Sequence, residues 1–213
     1  MIDDATLLKR YARDRSDEAF AELVRRHLTL VYSAALRHTD GDVHRAKDVA
    51  QIVFTDLARD AARLSRHPVL TGWLYAATRN TALDLLRAER SRRQREEKAH
   101  LMQEISSSRE TPVDWEQLRP VLDDVLEELD ERDRQAVLLR FFAAQPGASV
   151  ATALRLSEDA ARKRVDRALE KLGRLLAKRG IASTSGALAV LLADQVAVAA
   201  PTSVAEAITT VAI

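Results

Sequence analysis

Residues 148–177, ASVATALRLSEDAARKRVDRALEKLGRLLA, decide the fold. A short apolar stretch around Val150, Ala153 and Leu154 breaks at Arg155–Leu156. Ser157 then stands as an N-cap, its side-chain oxygen able to accept from the free N–H groups of the next turn. Glu158 and Asp159 follow at the positive end of the helix dipole. Beyond them Ala161, Val165, Leu169, Leu172 and Leu176 recur at helical spacing and make one buried face. Arg162, Lys163, Arg164, Asp166 and Arg167 are left outside. A short helix, a tight turn and a long helix with a basic first half is helix-turn-helix geometry. Such a helix fits a DNA major groove, where Arg and Lys pair with guanine edges and neutralise phosphates. An αα-hairpin with a charged outer face is the other reading of the same residues. The turn position suits glycine; Arg155 occupies it, and a positive φ there would carry strain.

Helical periodicity extends outward from this segment in both directions. Phe20, Leu23, Val24, His27, Leu28, Val31, Tyr32 and Ala35 form one stripe. Ala50, Val53, Phe54, Leu57, Ala61 and Leu64 form another, and Leu74, Thr78, Ala82, Leu85 and Leu86 a third. Leu122, Val125, Leu126 and Leu129, then Val137, Leu138, Phe141 and Phe142, continue the pattern. No stretch alternates with period two. Six Gly and five Pro in 213 residues fall well short of the roughly 12% of average usage, which disfavours hairpin-rich folds. Most of them mark boundaries: Gly41 in a TDGD turn, Pro120 at a helix start, Gly180 as a C-cap. The fold class is all-α.

The charges are segregated. The formal net charge is only +1, which seen alone argues against a nucleic-acid partner. Residues 87–95 nevertheless carry a net of +4, residues 96–133 a net of −9, and residues 155–179 a net of +5. Two basic blocks on separate helices, parted by an acidic one, point to nucleic acid. The absence of cysteine excludes disulfide scaffolds, iron–sulfur clusters and thiolate zinc sites. The acidic start, MIDDATLLKR, lacks the apolar core of a signal peptide.

Residues 99–113 lack periodicity and carry a Ser run. The expected organisation is therefore two small helical domains, 1–95 and 114–180, joined by a flexible acidic linker at 96–113, with an apolar extension at 181–213. Within that extension, GALAVLLADQVAVAA (186–200) is shorter than the about 20 residues of a membrane span, and Asp194 and Gln195 sit near its centre. No stable membrane insertion is expected. The extension reads either as a loosely docked or disordered tail, or as a regulatory segment that packs on the protein or on a partner.

In the first domain, Asn80, Asp84, Arg87 and Arg90 share one helix face. Trp73 and Tyr75 stand at that helix's start, beside the loop Ser65–Thr71. Aromatic residues beside a basic helix can stack on unpaired bases, although core packing also accounts for Trp73. Asp48, Gln51, Ile52 and Thr55 form a face opposite the buried Val53–Leu57 stripe.

Three segments together resemble bacterial RNA polymerase sigma factors of the extracytoplasmic-function type: AKDVAQIVFTDLAR (46–59), TGWLYAATRNTALDLLRAERSRR (71–93), and LDERDRQAVLLRFF (129–142) followed by LSEDAARKRVDRALEKL (156–172). The resemblance spans roughly residues 3–180. It implies that Asp48, Gln51, Phe54 and Thr55 meet core RNA polymerase at the clamp coiled coil of its largest subunit, with the flap as a second polymerase contact. It implies −10 recognition and melting by Trp73, Tyr75, Arg79, Asn80, Asp84, Arg87 and Arg90, with Ser65–Thr71 as the loop that captures a flipped base. It implies −35 binding by Ser157, Arg162, Lys163, Arg164 and Arg167. Promoter DNA and core polymerase are then the partners, an anti-sigma factor a possible third, and the cytoplasm the location. No catalytic residue, cofactor or metal is implied.

The promoter logic is physically coherent: trapping an unstacked base offsets part of the few-kcal/mol cost of unpairing, while the second domain anchors on closed duplex. A linker of about 20 residues reaches at most ~70 Å, or about two turns of duplex. Two other functions fit less of the sequence. A stand-alone helix-turn-helix regulator or adaptor would use residues 148–177 alone. A metal-dependent helical hydrolase would use His38, Asp40, Asp42, His44 and Asp48, of which His44 and Asp48 are an i, i+4 pair.

Overall fold

In the computed structural model the described residues are 2–67, 69–96, 115–195, 200–201, 204–205 and 207–208; side chains are described except at 89–96, 116–117 and 195. Of the expected linker only the backbone of Glu96, the last residue of a helix, is described; Pro68 and Arg90's side chain lie outside the described set. All regular structure among the described residues is helical. The order is α1 (Asp4–Asp14), α2 (Asp17–His38), α3 (Val43–Arg59), α4 (Ala61–Leu64), α5 (Leu70–Glu96), α6 (Trp115–Glu127), α7 (Glu131–Val137) continued by a π-helical turn (Leu138–Phe142), α8 (Gly147–Leu154), α9 (Glu158–Ala177) and α10 (Ser185–Gln195).

Local chemistry sets where these helices begin. Asp3, Ser16, Asp42, Asp130 and Ser157 each accept a hydrogen bond from a backbone N–H in the first turn that follows, satisfying donors that have no intrahelical partner. Chain reversals use left-handed residues, including Gly41 (φ 80) and Gly180 (φ 79). Pro120 departs from expectation: it lies inside α6 rather than at a helix start.

In the N-terminal domain α2, α3 and α5 pack on one another, and α1 and α4 close one end. Phe20, Leu23, Val31, Val49, Val53, Phe54, Leu57, Leu74 and Ala82 are wholly buried there. In the C-terminal domain Leu118, Leu122 and Leu126 of α6 meet Leu138, Phe142, Leu169, Leu172 and Leu176 in the same core. Lys171 of α9 donates to Asp130 at 2.7 Å and to Asp133, tying α9 to α7. With Lys171 as the largest influence, the Asp130 carboxyl is pushed down to about 2. The extension is not wholly loose. Leu188 and Leu192 of α10 are buried against α9 and the π-helical turn, and Val204 and Ile208 join the same core.

The two domains share that core, and a buried polar network joins them. Arg37, at the end of α2, donates from Nε and Nη2 to both carboxylate oxygens of Asp123 on α6, each at 3.2 Å. Their side chains are 4% and 7% exposed. Tyr75 of α5 donates its hydroxyl to the same carboxylate. The Arg37 guanidinium lies 4.8 Å from the Phe142 ring centre, and Tyr75 meets that ring edge-on at 5.8 Å. Arg79 reaches Asp124 at 3.4 Å. Val69, in the loop before α5, packs into a smaller cluster with Leu139, Val150, Ala151 and Ala161 of the C-terminal domain.

Removing one partner of a buried ion pair leaves the other charge uncompensated, at about 3–5 kcal/mol. Asp123→Ala should therefore separate the domains, read as a larger radius of gyration by X-ray scattering with unchanged helical circular dichroism; an unchanged radius would show that the apolar contacts suffice. Burial pushes the Asp123 carboxyl up, but Arg37, His38 and the hydrogen bonds from Arg37 and Tyr75 outweigh it and hold it below 3.8. A carboxylate lowered in this way stabilises above its unfolded value, and the gain is lost as pH falls through the folded value. Docking should thus persist at neutral pH and weaken progressively below pH 3.8.

Candidate nucleic-acid interface

The helix-turn-helix expected from residues 148–177 is formed by α8 and α9. Ser157 caps α9 by accepting from the Ala160 N–H at 3.3 Å. Ala161, Val165, Leu169, Leu172 and Leu176 face the core as their spacing predicts, with Ala168 added. At the turn Arg155 adopts φ 55, ψ 45, and the Leu156 N–H closes it on the Ala151 carbonyl at 2.9 Å. The strain expected of a non-glycine residue there is present.

Among the basic residues of α9 the structure separates two kinds. Arg162 and Lys163 are exposed, and both pair with Asp159 at 2.7 Å. Exposed pairs at this spacing contribute little, so a phosphate can displace Asp159 at small cost. Arg167 is exposed and, among the described residues, donates only to the Lys163 carbonyl, at 3.1 Å. Arg164 differs: its side chain is 22% exposed and bonds Asp133 of α7 at 3.2 Å. Asp133 is itself buried, so Arg164 holds α9 against α7 before it can do anything else.

In the N-terminal domain Asn80, Asp84 and Arg87 are exposed on α5, with Arg87 and Asp84 paired at 3.0 Å. Trp73 is half-buried. Tyr75 is 1% exposed and fixed on Asp123, so in this arrangement it cannot stack on a base; burial beside Phe142 and Asp123 is the reason. Ser65, Val69 and Thr71 of the loop are buried as well.

On α3 Asp48, Ile52 and Thr55 are exposed and Gln51 half-buried. With Asp56 and Leu85 they line a shallow groove of about 470 Å³. Phe54 is wholly buried and cannot touch a partner; it supports this face from the core. The reading from sequence missed Asp56 and Leu85 in the groove. Asp56 lies eight residues after Asp48, a spacing that repeats the same helix face, whereas Leu85 arrives from another helix.

The five residues of the metal reading do not converge. His38 lies beside Asp123, 3.5 Å from its carboxylate, and Asp42 caps α3. Among the described residues no group of three or more His, Asp or Glu is placed to hold a metal ion. No helix among them is long and apolar enough to cross a membrane.

Comparison with known proteins gives two family matches. The model of sigma-70 region 2 matches residues 23–92, and that of sigma-70 region 4 matches residues 120–172. The probable RNA polymerase sigma factor RfaY of Xanthomonas campestris pv. campestris is 31% identical over 156 residues, covering 71% of this chain and 38% of the relative. The chain thus spans well under half of that relative's length. The solved structure of CnrH in complex with the cytosolic domain of CnrY is 24% identical, covers 82% of this chain and 97% of its own, and has a TM-score of 0.38. The sigma factor RpoE from Bartonella quintana, in complex with the anti-sigma factor NepR, is 19% identical, covers 70% and 92%, and scores 0.32.

A left-handed non-glycine residue costs about 1–2 kcal/mol. Arg155→Gly should therefore stabilise the chain by about 1 kcal/mol in urea titration; a loss of stability would mean that the arginine side chain itself holds the turn.

Proposed function

Because the chain belongs to the sigma-70 family, we propose that it is a sigma factor of the extracytoplasmic-function type that directs promoter-specific initiation by core RNA polymerase. The observation that carries this reading is the order of the two family matches, region 2 over 23–92 and region 4 over 120–172, each containing one basic helix. It acts in the cytoplasm, with promoter DNA and core polymerase as partners, an anti-sigma factor as a possible third, and no chemistry of its own.

Exposure and charge support the division of labour. The groove of Asp48, Gln51, Ile52, Thr55, Asp56 and Leu85 offers the clamp of the largest subunit an apolar centre with two carboxylates at its edge. Arg162, Lys163 and Arg167 face the −35 duplex, with Ser157 at the helix start. Asn80, Asp84 and Arg87 face the −10 element, with Arg90 of the same basic block assigned to it from the sequence, and Trp73 and the loop 65–71 receive the unpaired base once the domains part. Arg79 and Tyr75 serve the same element only once Asp124 and Asp123 release them, so promoter engagement requires the domains to part.

Run-off transcription with core polymerase and genomic DNA should give discrete promoter-dependent transcripts. Failure to capture core polymerase, with duplex binding retained, would favour the stand-alone regulator instead. Asp48→Arg with Gln51→Ala should abolish capture of core polymerase and leave the melting temperature unchanged, because both side chains reach solvent; unimpaired capture would remove this groove from the interface. Lys163→Ala and Arg167→Ala should each reduce the salt slope of promoter binding by about one unit. An unaltered slope would take that residue off the phosphate backbone.

A further inference from the structure

A cavity of about 340 Å³ lies where the two domains meet, lined by Val69 of the N-terminal domain and by Arg132, Gln135, Ala153, Leu154, Arg155, Leu156 and Arg164 of the C-terminal one. Three arginines line it and no carboxylate does. Elsewhere on this domain Arg134, Arg162, Lys163, Lys171 and Arg179 pair with acids, while Arg140, Arg167 and Arg174 donate to backbone carbonyls; what sets the cavity apart is three arginines gathered on one wall. The side chains of Arg132 and Arg155 have no acidic partner among the described residues, and Arg164 commits Nη1 to Asp133. The nearby Glu131 carboxylate is occupied by Gln135 at 2.6 Å and by Arg134. Like charges gathered in a partly enclosed site attract an anion, and guanidinium forks match phosphate oxygens. Arg155 takes its place on the wall through a left-handed backbone (φ 55) that glycine would adopt freely.

We propose that this junction binds a nucleoside diphosphate. The diphosphate lies among Arg132, Arg155 and Arg164, and the base lies against the apolar wall of Val69, Leu154 and Leu156. The volume is at the lower end of small-ligand pockets, about 300–1,000 Å³. Inorganic phosphate alone would leave the apolar wall uncovered. A duplex on the exposed face of α9 meets Lys163 and Arg167, whereas Val69 of the other domain stands in this cavity's wall. Since that wall exists only while the domains are packed, the ligand favours the packed form by mass action. The proposal rests on the domain packing and is independent of the polymerase reading.

Calorimetric titration of the full-length protein with ADP, GDP and inorganic pyrophosphate tests it. Saturable one-to-one binding of at least one nucleotide is expected, at least tenfold tighter than pyrophosphate. Arg132→Ala with Arg155→Ala should weaken it at least tenfold, and Val69→Ala several-fold. Both arginines are exposed, so the double variant should melt like the parent; if it does not, Arg132→Lys with Arg155→Lys replaces it, keeping the charge but losing the forks, and should still weaken binding. No saturable nucleotide binding at millimolar concentration, binding indifferent to the arginines, or pyrophosphate binding as tightly as the nucleotides would each overturn the proposal. Loss of affinity for a 20-base-pair duplex in the double variant, with no nucleotide bound by the parent, would assign these arginines to DNA phosphates instead.

Discussion

Arg37 and Asp123 meet in a bidentate pair at 3.2 Å with both side chains out of water. Two desolvated charges of this kind add little net stability, because the cost of leaving water offsets most of their attraction. Their effect is on choice of arrangement. Neither can be buried without the other, so α2 and α6 dock in one register or expose both groups. Tyr75 and Phe142 complete the enclosure, the first by a hydrogen bond and the second by its ring face under the guanidinium. The alignment of Val69 with the helix-turn-helix, of Arg79 with Asp124, and of the arginine-lined cavity at the junction all follow from that register.

Packed in this way, the molecule presents its surfaces unequally. The α3 groove and the outer face of α9 remain open to solvent, whereas the loop before α5 and Tyr75 are covered by the other domain. The surfaces proposed for polymerase and for duplex are thus open in the packed form, and the one proposed to capture a base is not. The C-terminal extension adds to the C-terminal domain: α10 lays Leu188 and Leu192 on α9 and the π-helical turn, and Val204 and Ile208 follow into the core. Its apolar composition, which looks membrane-like in isolation, is what a helix needs to cover another helix.

Much of this was legible in the residues. The period of the apolar positions located the buried face of α9, and Ser157, Glu158 and Asp159 located its start. Arg155 announced a strained turn, and φ 55 is what the structure has. What the residues left open has one cause. An aromatic residue beside polar neighbours reads alike whether it faces solvent or a second layer of helices; Phe54 and Tyr75 both lie inside. Arg164 reads the same as Lys163 in a basic run; only the position of Asp133, 31 residues away, ties it down.

The sequence by itself determined the helices, their caps, their buried stripes and the separation of the basic blocks, because those depend on residues three or four apart on one helix. It also carried the family, through motifs each contained within one or two helices. Only the tertiary structure decided which charges are free. Arg37 and Asp123 are 86 residues apart, and nothing local to either marks the other as its partner. A buried ion pair is a property of the packing that excludes water from both groups, and that packing exists only after the two domains have met.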